Sequence, residues 1–113
     1  MKGFEDSMYY KKQEELFEKH WNRELTDDEF YAELLKNLDE ELSHPELYGT
    51  WLVYHYNPSA ESLGEGWPRW EAEKIYNVAM EEARIFRKNG YGERAEYIER
   101  CAEEGMEIEK ENW

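Results

Sequence analysis

The chain has 113 residues, with 14 Lys and Arg against 28 Asp and Glu, a net charge of −14 and a pI near 4.6. That length suits one domain with one modest core and excludes a multidomain enzyme with a large enclosed active site. The charge argues against a nucleic-acid binder, which wants a basic surface, and against docking on anionic lipid.

Leu, Ile, Val and Phe make up only 19 residues, a share at which high charge favours disorder. Eighteen aromatics and a periodic apolar pattern pull the other way. The expected fold is a mainly α, single acidic domain over 1–113. It would be a bundle of four to five helices with an aromatic-rich core. Cys101 is the one cysteine, so no internal disulfide and no thiolate zinc site can form. Residues 1–10 hold no apolar signal region, and no apolar run nears the roughly 18 residues that span a bilayer. A soluble, cytoplasmic protein is expected.

The first helix should start near Ser7. Tyr9, Gln13, Leu16, Phe17, His20 and Trp21 share one face, and Glu15 and Lys19 make an i,i+4 pair on the other. Thr26-Asp27-Asp28-Glu29 is a capping box that opens a second helix, with Leu25 and Phe30 placed as a hydrophobic staple. Its stripe is Phe30, Leu34, Leu35, Leu38 and Leu42, and Pro45 ends it. Residues 50–56 read either as a short strand of high β-propensity or as a helix from Pro45; without an obvious partner strand, helix is preferred. Ser59 to Trp67 reads as a loop. Pro68 then suits the first position of a long helix carrying Ala72, Ile75, Tyr76, Ala79, Ala83 and Phe86, stopped by Asn89-Gly90. A last helix is expected from Glu93 to Glu104, with Ala95, Ile98, Cys101 and Ala102 inward and Gly105 as its cap. The last two helices form an αα-hairpin.

Chemistry-bearing patterns are sparse. Glu41-Leu42-Ser43-His44 has the Glu-x-x-His spacing of helical di-iron sites, but such sites need two motifs and two more glutamates. It reads as a solvated helix end. His20 and Glu24 could share a metal, yet no third ligand is evident, and His20 reads better as a partner of Trp21. His55 suits an aromatic cluster. No nucleophile motif or phosphate loop is present. The reading is therefore no enzyme, no cofactor and no metal.

Two features suggest a partner. Trp67-Pro68-Arg69-Trp70 either packs a loop onto the bundle or forms a binding patch, because Trp and Arg are enriched at hot spots. The first option is preferred. The acids are the sharper clue. Asp39, Glu40 and Glu41 end the second helix, where negative charge opposes the dipole, and Glu103 and Glu104 do the same in the last helix. Glu107, Glu109 and Glu111 follow. Residues disfavoured by local folding rules often mark function. The expected protein is an acidic binding protein that occupies a basic nucleic-acid-binding surface of a partner, as a DNA or RNA mimic. Its contacts would be Asp39, Glu40, Glu41, Glu103, Glu104 and Glu107, with Trp67, Arg69 and Trp70 as a second patch. In size, charge and helicity it is similar to small acidic phage and mobile-element proteins that inhibit restriction or CRISPR effectors. The alternative is a helical interaction or assembly module, homodimeric in one form, whose charge serves solubility. A small metal-binding enzyme around Glu41 and His44 comes last.

Overall fold

A computed structural model describes residues 8–43 and 58–113 of the protein. The described residues form four α-helices and one 3-10 turn and contain no strand: α1 (Met8–Trp21), α2 (Asp27–Leu42), the turn Ser59–Ser62, α3 (Arg69–Lys88) and α4 (Gly92–Lys110). The mainly α fold expected from the apolar periodicity is what forms. The strand-or-helix choice at 50–56, Pro45, His44 and His55 lie outside the described residues. By its contacts the chain groups into two compact units, residues 1–52 and 53–113.

In the first unit α1 packs on α2. Glu15 and Lys19 pair at 3.0 Å, as their spacing predicts. The α1 stripe is only partly used. Leu16 is buried, but Phe17 is half exposed and Trp21 is 86% exposed. His20 does not partner Trp21. It stacks on Phe30 at 4.2 Å, and its Nε2 meets Asp27 Oδ1 at 2.7 Å. α1 ends in a Schellman turn: Glu24 N–H donates to Lys19 C=O and Arg23 N–H to His20 C=O. The left-handed position, φ 62°, belongs to Arg23, where glycine is usual. The capping box of α2 forms in full. Glu29 N–H donates to Thr26 Oγ1 at 3.1 Å, and Thr26 N–H donates to the Glu29 carboxylate at 3.0 Å. Those bonds hold the Glu29 carboxyl below its ordinary pKa. Phe30, Leu38 and Leu42 are buried, while Leu34 and Leu35 are only half-buried.

The second unit is the hairpin of α3 and α4 with the 58–68 segment laid against it. Pro68 caps α3, and its carbonyl accepts from Glu71 and Ala72. The stop at Asn89-Gly90 is a second Schellman turn, with Tyr91 N–H on Phe86 C=O and Gly90 N–H on Arg87 C=O. Gly90 takes the left-handed position at φ 95°, and the Tyr91 ring meets the Phe86 ring. Small residues line the helix seam: Ala72, Ala79, Ala83, Ala95 and Ala102 are fully buried, which lets the helices approach closely. Phe86 and Ile98 supply the bulk. Across the seam the Arg87 guanidinium holds Glu99 by two bonds of 2.6 and 3.0 Å.

The aromatic-rich core is met only weakly among the described residues, where the buried hydrophobic set is mostly alanine and aliphatic and Phe30 and Phe86 are its aromatics. Several other rings stay at the surface, because short alanine side chains close the hairpin without them. The end of the last helix is corrected. The helix does not stop at Gly105. It runs to Lys110, and Gly105 sits inside it. A methyl at Gly105 would clash with Leu63 Cβ and lie 3.0 Å from the Leu63 carbonyl carbon and oxygen. The glycine is there for the close approach of a loop, and not for a turn.

Candidate functional site

Because α4 continues to Lys110, its register fixes which glutamates face inward. Ala95, Ile98, Ala102, Gly105, Met106 and Glu109 are buried. The opposite face presents Glu93, Glu96, Arg100, Glu103, Glu104, Glu107 and Lys110, followed by Glu111. That is six acids against two cations. Lys110 lies 3.9 Å from Glu107, and among the described residues no cation pairs with Glu103, Glu104 or Glu111. The α3 outer face is different. Arg69, Arg84, Arg87 and Lys88 outnumber Glu73 and Glu81 there, and both acids are paired, with Arg69 and Arg84.

Glu109 has another role. Its side chain is completely buried, and its carboxylate accepts the backbone N–H groups of Gly64 at 3.0 Å, Gly66 at 3.1 Å and Trp67 at 3.1 Å. A carboxylate in a cradle of three amides is compensated by charge-assisted bonds. Glu82, buried on α3, accepts Ser59 N–H at 2.9 Å. Each helix of the hairpin thus uses one buried glutamate to hold the same segment. Sequence reasoning grouped Glu109 with the surface acids; the inward spacing 95, 98, 102, 106, 109 is the signal that separates it.

The proposed contact residues fare unequally. Glu103, Glu104 and Glu107 are exposed and share one helix face. Glu103 and Glu104 lie inside α4, so the argument that they oppose a helix end does not apply to them. In the other cluster Glu40 is exposed, Asp39 is half-buried, and Glu41 is buried at 3% exposure. Glu41 therefore offers no surface carboxylate. The Trp67-Pro68-Arg69-Trp70 patch divides. Trp67 serves packing: its N–H reaches Glu109 and its indole Nε1 donates to Ser62 C=O at 2.8 Å. Trp70 is 61% exposed. The Arg69 guanidinium lies 5.0 Å over the ring of Trp113, and Lys74 Nζ lies 5.8 Å from the Trp70 ring.

No group of three or more His, Cys, Asp and Glu side chains among the described residues could hold a metal ion. An open depression of about 670 Å³ in the first unit is lined by Lys11, Lys12 and Lys19 against Glu15, Glu29 and Glu33 over Leu16 and Leu25, three cations facing three acids. Cys101 is half-buried and is not part of the core stripe. It hydrogen bonds with Tyr97, and that bond, with the one Tyr97 donates to Glu61 at 3.0 Å, pushes the phenol up to about 12. No described helix is long and apolar enough to cross a membrane. No family model, no curated protein and no solved structure matches the chain.

Proposed function

We propose that this is a non-enzymatic acidic binding protein that occupies a basic, nucleic-acid-binding surface of a partner protein. The observation that carries the reading is the outer face of α4, with five acids and two cations on the helix and a sixth acid, Glu111, at its C-cap. A charge kept only for solubility has no reason to gather there while the outer face of α3 carries more cations than acids. Glu103, Glu107 and Glu111 repeat at intervals of four residues, which is about 6 Å of helix rise. One strand of duplex nucleic acid carries a charge per about 3.4 Å of axis, so one such row supplies roughly half that density. Glu96, Glu93 and Glu104 flank the row. The same partner chemistry fits an inhibitor of the anti-restriction or anti-CRISPR kind. Glu40 and Asp39 remain a smaller contact site in the first unit.

The test is a competition experiment. Immobilised protein should retain basic nucleic-acid enzymes from a lysate at low salt, release them as salt rises, and release them to added duplex DNA or RNA. The triple variant Glu103→Gln, Glu104→Gln, Glu107→Gln should retain much less, mainly through slower association. Equal retention by the variant sinks the mimic reading. The assembly-module reading keeps one observation in its favour, the exposed rings of Trp70 and Trp113, and a concentration-dependent dimer in sedimentation would support it.

A further inference from the structure

The last two turns of α4 have little local support. Glu103 and Glu107, and Glu107 and Glu111, repel each other at i,i+4. Glu107, Glu109 and Glu111 also place negative charge at the C-terminal end of the helix dipole, with Lys110 as the one cation of the last turn. The two hairpin helices end differently as well. α3 closes on the left-handed Gly90, whereas Glu111, the C-cap of α4, keeps helical backbone at φ −64°. Yet α4 stays helical to Lys110.

The segment 63–67 supplies what the local rules withhold. Leu63 fills the space beside Gly105, Ile108 lies against Gly64, and Glu109 accepts the amides of Gly64, Gly66 and Trp67. Gly64 and Gly66, at φ 102° and 97°, turn those amides to one side, in a conformation that glycine adopts freely. Positions 105, 108 and 109 are thus pinned by one segment. The positions between and around them, Glu103, Glu104, Glu107 and Glu111, are the outer acids. We propose that Glu109 is a positioning residue for the acidic face: through its bonds to the 63–67 segment it keeps the end of α4 wound and holds the outer carboxylates at fixed spacing against their own repulsion. This role rests on the acidic-face reading and adds to it the kind of partner that fits, one whose cations are themselves held at intervals of about 6 Å. A row that is fixed before binding loses no freedom when it meets such a partner, so both affinity and selectivity depend on the splint.

The probes are two fluorescently labelled, stapled alanine-based helices of the same composition. One carries lysines at every fourth position, matching the row; the other has the same lysines spread around the helix. Anisotropy titrations use the full chain in about 0.1 M salt, where the screening length is about 10 Å. The natural chain should bind the matched helix about tenfold tighter than the spread one. Glu109→Gln and Glu109→Asp leave every outer carboxylate in place. The aspartate keeps the charge but is one methylene too short to reach all three amides. In both variants the amides of residues 107–111 should exchange with solvent faster. The preference for the matched helix should fall to about twofold or less, with little change in affinity for the spread one. Circular dichroism checks that each variant is folded; should Glu109→Gln unfold, Glu109→Asp decides alone. Faster exchange with an undiminished preference, or exchange that does not change, overturns the positioning role. Equal binding of the two helices by the natural chain overturns it too and keeps the acidic-face reading. Binding of neither helix removes that reading and the positioning role with it.

Discussion

Inside the hairpin, α3 and α4 do the same things with the same residue types. Alanines line the seam from both sides, and each helix buries one glutamate against the 58–68 segment, Glu82 from α3 and Glu109 from α4. Outside they part. α3 shows four cations and two paired acids, whereas α4 with Glu111 shows six acids and two cations. Packing explains the inner likeness. It does not explain the outer difference, since either set would keep the surface solvated. The comparison teaches that glutamate has two uses on α4, and that position in the helical turn separates them. One is a buried acceptor that fixes a loop; the other is an exposed charge whose use is external.

The sharpest way to break that distinction is to remove the buried acceptor. Glu109→Gln should destabilise the protein by about 3 kcal/mol, because three amide donors lose a charged acceptor and the new NH2 group cannot serve all of them. Denaturant melts measure it. A cost as small as that of Glu107→Gln would mean that Glu109 is an ordinary surface acid. Next comes Gly105→Ala. Helix propensity favours the change by about 1 kcal/mol. The clash with Leu63 opposes it by about 1–3 kcal/mol, so a net loss of roughly 1 kcal/mol is expected. A gain would mean that Leu63 moves aside and that the close approach does not require glycine.

Much of the frame was legible. The Thr26 capping box, the Pro68 start and the Asn89-Gly90 stop are local signals, and local hydrogen bonds decide them. Gly105 was misread for a physical reason. Glycine marks both helix ends and close approaches, and the residue that it approaches, Leu63, is 42 positions away. Arg23 gave no signal, since an arginine in the left-handed position follows no composition rule. Trp21 and Phe17 sit on a proper helical stripe yet stay exposed, because periodicity names a face without saying how far its cover extends. In the site, Glu103, Glu104 and Glu107 were found for their charge. The reason then attached to two of them, opposition to a helix end, was wrong, and Glu41 was taken for a surface acid although it is buried.

A smaller effect tests a charge link between the two helices. Arg87 lowers the Glu99 carboxyl below its ordinary value of 4.5 through its side-chain hydrogen bonds. A lowered folded-state pKa gives stability that is present above the unfolded pKa and is lost as pH falls through the folded one. Acid should therefore weaken the hairpin below about pH 4.5. Glu99→Gln should remove that part of the acid dependence and cost about 1 kcal/mol or less at pH 7, as the pair is partly solvated. Stability curves from pH 2 to 7 for both proteins check it; parallel curves would deny the link a role.

The smallest expected change in stability belongs to the residues given the largest role in binding. Glu103→Gln, Glu104→Gln and Glu107→Gln together reduce the net charge from −14 to −11. Glu103 and Glu107 lie at i,i+4, as do Glu107 and Glu111, and like charges at that spacing cost about 0.2–0.5 kcal/mol per pair. Against this stands only the long Glu107–Lys110 contact at 3.9 Å. The triple variant should match the natural chain or exceed it by a few tenths of a kcal/mol. Added salt should close that gap by screening the repulsion. The mirror experiment on α3, Arg84→Gln with Lys88→Gln, takes the charge to −16 and breaks the Arg84–Glu81 pair, so it should lower stability slightly, again less so in salt. Opposite signs for the two variants, both erased by salt, follow only if the α4 acids stand in mutual repulsion while the α3 cations stand in net attraction. A loss above about 1 kcal/mol in the α4 variant would show those glutamates holding the fold, and would leave no surplus charge to assign to a partner.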